Sequence, residues 1–356
     1  MEVKKTSLPI KGIFFGLGVS IVILLVIQKL FGNSIDPNLL RNFWHIALAG
    51  VIVFLFSLLI ASLRIYMLLR SLGYSVPFFK TSLNVVLGQF FNAITPFAAG
   101  GQPYQIYELN SYNNVELSHA TAVIITQYLN LNFATSTIAI IFFSRYFNIL
   151  ATLGVTGKVF IIGMITTLSI GTLFTIVAFS RTLLIKFINF LKNRVLLLKI
   201  IEKITGKDKQ IILNTLKTKL IKYNDSMKFI WAKSPKTIFL DYFLALGFVF
   251  FNYAVFYVIV IGFQFIANEK FGFTLLDSLS IQAFLSFIVY YLPTPGSSGG
   301  FESVMFISLK NFVPQEYLIV SISVWRMVIY YFLILMGTVL FIFHVKKSLG
   351  RGSNCS

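Results

Sequence analysis

A seven-residue pattern occurs twice in this chain of 356 residues: a Thr-Pro pair followed, after three residues, by a Gly-Gly pair. The copies run from Thr95 to Gly101 and from Thr294 to Gly300, an offset of 199 positions (294 − 95 = 199). Each copy lies between apolar stretches, where Pro and paired Gly interrupt a helix. At membrane depth the freed backbone groups must be buried in protein or line a wet cavity. Two such breaks in corresponding places of two halves are typical of a binding site between structural repeats.

The composition supports a location within a membrane. Hydrophobic residues make up 57% of the chain and charged residues 12%, whereas soluble domains carry about 25% charged residues. We therefore predict an all-α polytopic membrane protein forming one integral domain over residues 1–356. The single Cys355 and the scattered His45, His119 and His344 have no metal-ligand spacing, so we expect no metal and no cofactor. No enzyme motif is found in the sequence.

Apolar runs predict six full spans and two re-entrant hairpins. The spans are Gly12–Leu30, Trp44–Leu69, His119–Phe143, Lys158–Ser180, Thr237–Ile266 and Tyr317–Phe343. No small-x-small cleavage site follows the first run, so we interpret it as a retained span. The two hairpins, Thr81–Tyr112 and Leu275–Phe312, are broken in the middle by the repeated pattern.

The distribution of Lys and Arg predicts the topology. If both hairpins leave the membrane on the side they entered, the basic residues cluster on one side of the membrane. That side is then the cytoplasm, and both termini lie there. We expect the protein to lie in the plasma membrane of a prokaryote. The first hairpin then enters from the cytoplasm and the second from outside. The span–hairpin–span units 44–143 and 237–343 are therefore predicted to be an inverted repeat, which permits alternating access to a midplane site.

Residues 181–236 form a basic segment between the units. It has 14 Lys and Arg residues against three acidic ones, or 14 − 3 = +11. We interpret it as cytoplasmic amphipathic helices lying at an anionic lipid surface. A tRNA-binding surface is the alternative, but the segment lacks interleaved aromatic residues, so we expect no nucleic-acid partner. An apolar stripe at helical spacing comprises Ile212, Leu216, Leu220, Tyr223, Met227 and Ile230.

Charged residues within spans are costly and are candidates for function. We expect Arg64 to extend to the cytoplasmic interface, and Asp241 and Asp277 to lie at span ends. Glu302 begins a half-helix, where it could cap the helix or take a ligand or proton. Arg326 lies deep in the last span and needs a partner, either a carboxylate or a lipid phosphate.

The predicted lipid pathway combines the break residues with nearby polar groups. Gln127 and Asn130 share a helix face, so they either form interhelical hydrogen bonds or line a hydrophilic passage. The full set is Gln89, Asn92, Thr95, Pro96, Gly100, Gly101, Gln102, Glu108, Gln127, Asn130, Pro293, Thr294, Pro295, Gly296, Gly299, Gly300, Glu302 and Arg326.

Three motifs, in order, resemble the membrane region of the lysylphosphatidylglycerol synthase/flippase family, which includes the bacterial multiple-peptide-resistance factors. They are Gly88–Tyr107, Leu292–Glu302, and Trp325-Arg326 followed by Tyr330-Tyr331. The resemblance implies a flippase-like fold that handles anionic or aminoacylated phospholipid, such as phosphatidylglycerol or lysyl-phosphatidylglycerol, and is linked to cationic-peptide resistance.

Two departures from the family pattern bear on function. Full-length members append a cytosolic acyltransferase domain, whereas this chain ends at Ser356, so we expect no lysyl transfer by this chain alone. Gln105 stands where many relatives have Arg. The alternatives to a flippase are a phosphatidylglycerol lysyltransferase or its membrane subunit, with a separate acyltransferase partner, and a lipid-presenting scaffold. A homo-oligomer is left open.

Overall fold

In the computed structural model, every regular element among the described residues is helical, as predicted. The description covers residues 37–142, 181–192, 209–289 and 294–352, with isolated positions between 162 and 180. The helices are α1 (Pro37–Ser71), α2 (Phe78–Ile94), α3 (Gly101–Asn113), α4 (Leu117–Ile141), α5 (Arg181–Lys192), α6 (Lys209–Lys233), α7 (Pro235–Ala267), α8 (Leu275–Val289), α9 (Gly300–Leu309), α10 (Gln315–Arg326) and α11 (Phe332–Gly352). A π-helical turn, Met327–Tyr331, joins α10 to α11.

Local sequence explains where the long helices begin and end. Pro235 occupies the first turn of α7, where its fixed φ and missing N–H are tolerated. Asn268 ends the same helix in the left-handed conformation, and Asn114 does so for α3. These stops separate each long helix from the element that follows it.

Four of the predicted spans coincide with helices long and apolar enough to cross a membrane. These are Phe43–Ser71, Leu117–Ile141, Pro235–Ala267 and Gln315–Val345. The predicted span Gly12–Leu30 lies outside the described residues, as does most of Lys158–Ser180. The predictions for the four described spans are confirmed as helices, and the chain is a multi-pass membrane protein.

Both predicted hairpins are helix–break–helix units. In the first, α2 and α3 flank the 3₁₀ turn Pro96–Ala98, and in the second α8 and α9 flank the turn Pro295–Ser297. The paired helices of each unit pack against one another, and the two turns also contact each other. The breaks predicted from Pro and Gly are therefore confirmed, and they lie against each other.

The two breaks share one backbone conformation. Phe97 and Ala98 have φ values of 57° and 50°, and Gly296 and Ser297 have φ values of 59° and 52°. The positions correspond through the sequence offset, since 97 + 199 = 296. Left-handed φ is costly for bulky residues such as Phe. The same uncommon conformation at matching positions shows that the sequence repeat is also a structural repeat.

The first helices of the two units, α1 and α7, run antiparallel along their length. Rings of Phe56 and Phe251 lie 4.7 Å apart. Nearer the start of α1, Gly262 lies so close to Ile46 that an added Cβ would come within 2.8 Å of it. Towards the end of α1, Arg64 contacts Asp241. Along α1 from its start to its end, the contacting residues of α7 therefore have decreasing residue numbers, so the two helices are antiparallel.

The outer face of α1 is apolar and exposed. Trp44, Leu48, Ile52 and Leu59 recur at helical spacing on that face, and each is at least half exposed. In contrast, Ile65, Leu68 and Phe54 are buried in the interior. An exposed apolar face opposite a packed one is the pattern of a helix that contacts lipid.

Helix α6 of the basic segment packs on the helical core, and α5 packs on α6. Helices α5 and α6 confirm the predicted helical character, but the apolar stripe of α6 does not only face lipid. Met227 and Ile230 are buried because α6 lies along α4, where the Thr126 hydroxyl contacts Met227 Sδ at 3.7 Å and accepts a bond from Trp231 Nε1 at 3.2 Å. Tertiary packing thus buries part of a face predicted to rest on the bilayer.

Candidate functional site

The first break is held by the side chains of its own motif. The N–H of Gly100 donates to Thr95 Oγ1 at 2.9 Å, and the N–H of Gly101 donates to Asn92 Oδ1 at 2.8 Å. An interrupted helix leaves its first N–H groups without carbonyl partners. The side chains of Thr95 and Asn92 therefore take the place of carbonyl partners for these two N–H groups.

The second break is held by a different set of hydrogen bonds, one of which involves a carboxylate. Thr294 Oγ1 donates to the carbonyl of Ser298 at 2.9 Å. The N–H of Gly299 donates to Glu302 Oε2 at 2.7 Å, at the start of α9. A carboxylate at this helix end is also favoured by the helix dipole. Glu302 therefore performs the capping role that the sequence suggested.

Arg326 is buried against the second break. Its Nε lies 2.7 Å from Glu302 Oε1, and the exposed fractions of the two side chains are 3% and 0%. Nη1 donates to the carbonyl of Gly296 at 3.2 Å, and Nη2 lies 3.5 Å from the carbonyl of Ser297. The guanidinium also lies over the rings of Phe301, Trp325 and Tyr330. Of the two kinds of partner predicted for Arg326, a carboxylate or a lipid phosphate, the structure shows a carboxylate, that of Glu302.

A cavity of about 290 Å³ lies beside the two breaks. It is bounded by α2, α3, α4, α7, α8, α9 and α10, together with the first 3₁₀ turn and the π-helical turn. Tyr253 stands near the middle of the antiparallel α1–α7 pair. Of the predicted pathway residues, the cavity wall includes Gln89, Asn92 and Gln102. No charged side chain is among the described residues that line it. The remaining wall residues are Ala98, Tyr128, Leu131, Asn132, Thr135, Phe248, Val249, Asn252, Tyr253, Gln282, Ser286, Phe287, Phe301, Trp325 and Ile329.

Several wall residues are absent from the predicted pathway. On α4 the cavity is lined by Tyr128, Asn132 and Thr135, a stripe rotated by one residue, or about 100°, from the predicted face of Gln127 and Asn130. Polar side chains are spread around most of the circumference of α4, so its sequence has little periodic signal to fix the rotation. On α7 and α8 the additional polar wall residues are Asn252, Tyr253, Gln282 and Ser286.

A smaller space of about 40 Å³ extends the cavity towards the end of α1. The two share six residues: Gln89, Asn92, Gln102, Tyr128, Leu131 and Phe248. The extension adds Arg64, Gln105, Gln127 and a few apolar residues. The polar path therefore continues from the breaks towards a buried charge cluster.

That cluster is centred on Arg64 and Asp241, from α1 and α7. Arg64 Nε donates to Asp241 Oδ1 at 2.8 Å, and both side chains are buried. From α4, Asn130 Nδ2 donates to Asp241 Oδ2 at 2.7 Å, and the carbonyl of Gln127 accepts from Arg64 Nη2 at 2.7 Å. The expectation that Arg64 reaches the interface is wrong, because a buried carboxylate 177 positions away satisfies it.

Gln127 and Asn130 both form interhelical hydrogen bonds. Gln127 Nε2 donates to the carbonyl of Ala61 at 3.1 Å, and Asn130 also donates to the carbonyl of Ile238 at 3.2 Å. Gln127 additionally lines the extension. Of the two alternatives for this pair, hydrogen bonding holds for both residues.

Glu108 and Asp277 lie apart from the cavity. Glu108 is buried near the end of α3, where Asn84 Nδ2 donates to it at 2.7 Å and Asn113 Nδ2 at 2.8 Å. His344 Nε2 lies 3.9 Å from the same carboxylate. Asp277 caps α8 by accepting from Thr274, as expected for a span end. Pro293 lies outside the described residues.

The fold and the site together define a helical multi-pass membrane protein in which two units, each with a broken hairpin, enclose a polar cavity. The profile of the family described as lysylphosphatidylglycerol synthase TM region matches residues 13–337. The chain belongs to this family, as the resemblance of its motifs predicted. It is also 25% identical over 347 residues to a UPF0104 membrane protein of Archaeoglobus fulgidus, covering 94% of this chain and 97% of that protein.

Proposed function

We propose that this protein moves phospholipid headgroups between the leaflets of the plasma membrane. The observation that carries the proposal is the polar cavity beside the first break, which is lined by helices of both units. A lipid headgroup cannot cross hydrocarbon without replacing its hydration. A cavity of amide, hydroxyl and aromatic groups supplies that replacement.

The repeat supplies the mechanism. Two units that have opposite orientations in the membrane can each adopt the conformation of the other. The same cavity then opens first to one side of the membrane and afterwards to the other. In this arrangement α2–α3 and α8–α9 are re-entrant hairpins, the described spans belong to a set of six, and both termini are cytoplasmic. The antiparallel packing of α1 and α7 supports the inverted relation.

The family description favours phosphatidylglycerol or its lysyl derivative as the cargo. The basic residues of 181–236 would hold the protein at the anionic cytoplasmic leaflet and attract such headgroups. In this scheme Arg326 and Glu302 fix the geometry of the second break, while the uncharged wall contacts the passing headgroup. Movement of aminoacylated lipid would connect the protein with resistance to cationic peptides.

Translocation in liposomes tests the proposal. Purified full-length protein is reconstituted with fluorescent phosphatidylglycerol, and the fraction reached by an external quencher is followed over time. We expect faster equilibration than in protein-free liposomes and slower movement with the wall variant Gln89→Leu. The matched control is Phe265→Leu, because Phe265 is exposed on the outer surface of α7. Equal rates with and without protein would leave a lipid-presenting scaffold as the better account.

A further inference from the structure

The polar wall of the cavity is dominated by one chemical group, the carboxamide. Six such side chains line it: Gln89, Asn92, Gln102, Asn132, Asn252 and Gln282. Each carboxamide has two N–H donors and one carbonyl acceptor. A wall of this kind can pair with groups that both donate and accept hydrogen bonds.

Three of these carboxamides are held by the protein. Asn92 accepts from the N–H of Gly101, Asn132 donates to the carbonyl of Tyr128 at 2.9 Å, and Gln282 donates to the carbonyl of Tyr253 at 2.7 Å. Each of these bonds leaves part of the amide group unused. The protein therefore fixes their orientation while leaving hydrogen-bonding capacity at the wall.

The other three, Gln89, Gln102 and Asn252, make no hydrogen bond to the described part of the protein. All three are half-buried and line the cavity. An amide that is withdrawn from water costs free energy unless it is hydrogen-bonded. These three side chains are therefore available to a polar ligand, which would exchange with water in the cavity.

Aromatic and charge features narrow the class of ligand. Rings of Tyr128, Phe248, Phe301 and Trp325 give the same cavity flat apolar surfaces. The nearest buried ions, Arg326 with Glu302 and Arg64 with Asp241, are already paired with each other. A phosphate or an ammonium group in the cavity would thus lose water without gaining an unpaired counter-charge.

We infer that the cavity recognises the uncharged, hydroxyl-bearing part of a lipid headgroup, a glycerol or a sugar. The inference rests on the proposed function and narrows its cargo, because it favours a polyol headgroup over an aminoacylated one. Hydroxyl groups pair with the free carboxamides, and the C–H surface of the polyol packs on the rings. The charged phosphate stays outside the carboxamide wall.

Binding of short-chain lipids to the full-length protein tests this inference. The chain has three Trp residues, so Trp44→Phe with Trp231→Phe leaves Trp325 in the cavity wall as the fluorescent reporter. The probes are dioctanoyl forms of phosphatidylglycerol, phosphatidic acid, glucosyl-diacylglycerol and lysyl-phosphatidylglycerol. Phosphatidic acid keeps the phosphate but lacks the glycerol headgroup, and the glucosyl lipid has hydroxyls without phosphate.

We expect phosphatidylglycerol and glucosyl-diacylglycerol to bind more tightly than phosphatidic acid, by a factor of about ten or more. The reason is that phosphatidic acid lacks the headgroup hydroxyls and loses about two hydrogen bonds. Gln102→Leu and Asn252→Leu should each weaken the binding of these hydroxylated lipids about two- to tenfold. The same variants should leave the binding of phosphatidic acid unchanged. Phe265→Leu should change nothing. Comparing glycerol with glucose identifies which polyol is preferred.

Equal binding of phosphatidic acid, or tightest binding of the lysyl lipid, would overturn the inference. Thermal stabilisation of the wild-type protein by the same four lipids gives a second reading that does not need the Trp variants. The result is separable from the proposed function. Selective binding of hydroxylated lipids without translocation in liposomes would contradict only the transport proposal. Translocation without selective binding of hydroxylated lipids would contradict only the inference about the headgroup.

Discussion

Removing the charge of Glu302 should destabilise the protein by leaving Arg326 buried without its counter-ion. The two side chains meet at 2.7 Å with almost no exposed surface. At an effective dielectric constant of about 20, that separation corresponds to a gross attraction of about 6 kcal/mol. The net value is smaller because both ions lost water on folding, and breaking such a pair from one side costs about 3–5 kcal/mol.

The surroundings of Arg326 place the expected loss in free energy of unfolding in the lower part of that range. Carbonyl groups of Gly296 and Ser297 and three aromatic rings still surround the guanidinium when the carboxylate is gone. We therefore expect Glu302→Gln to cost about 3 kcal/mol. Arg326→Gln should cost a similar amount. The double variant should cost less than the sum of the two, because neither ion is then left alone.

Unfolding of the purified protein in detergent, followed by Trp fluorescence and by size-exclusion retention, measures these values. Lys222→Ala is the matched control, because it removes an ion pair with Glu116 that is exposed and 3.5 Å long and should cost at most about 1 kcal/mol. Wild-type stability in both single variants would refute the ion-pair argument. If transport were also unchanged, the assignment of these residues to the site would be wrong.

Three further expectations follow from other parts of the fold. Gly296→Ala should destabilise far more than Gly73→Ala in thermal unfolding: both have positive φ, but an added Cβ would lie 2.1 Å from the Tyr330 ring at Gly296 and meets nothing within 4 Å at Gly73. Asp241→Asn should cost about 3–5 kcal/mol by stranding the Arg64 guanidinium, and unchanged unfolding would refute the cluster. In a Cys355→Ser background, Ser75→Cys and Lys270→Cys should react with impermeant reagents from opposite sides of the membrane, since α1 and α7 are antiparallel; labelling from one side would exclude the inverted units.

Much of the architecture could be predicted from the sequence because the signals for it are local. Apolar runs set the extent of the long helices, and Pro and Gly set the positions of the breaks. The constant offset between Thr95 and Thr294 set the correspondence of the two units. These features depend on backbone chemistry and hydrophobicity along a short stretch of chain. They can therefore be predicted without knowing which helices pack against one another. The need of Arg326 for a buried partner also followed from its position deep in an apolar run.

The composition of the site depended on tertiary packing. Arg64 and Asp241 are 177 positions apart, and only the antiparallel contact of α1 with α7 makes them partners. The wall residue Asn252 and the rotated stripe of α4 were missed for a related reason. A membrane helix is apolar both towards lipid and towards protein, so hydrophobic periodicity does not fix its rotation. The rotation is set by packing against neighbouring helices, which brings Asn252 into the cavity wall.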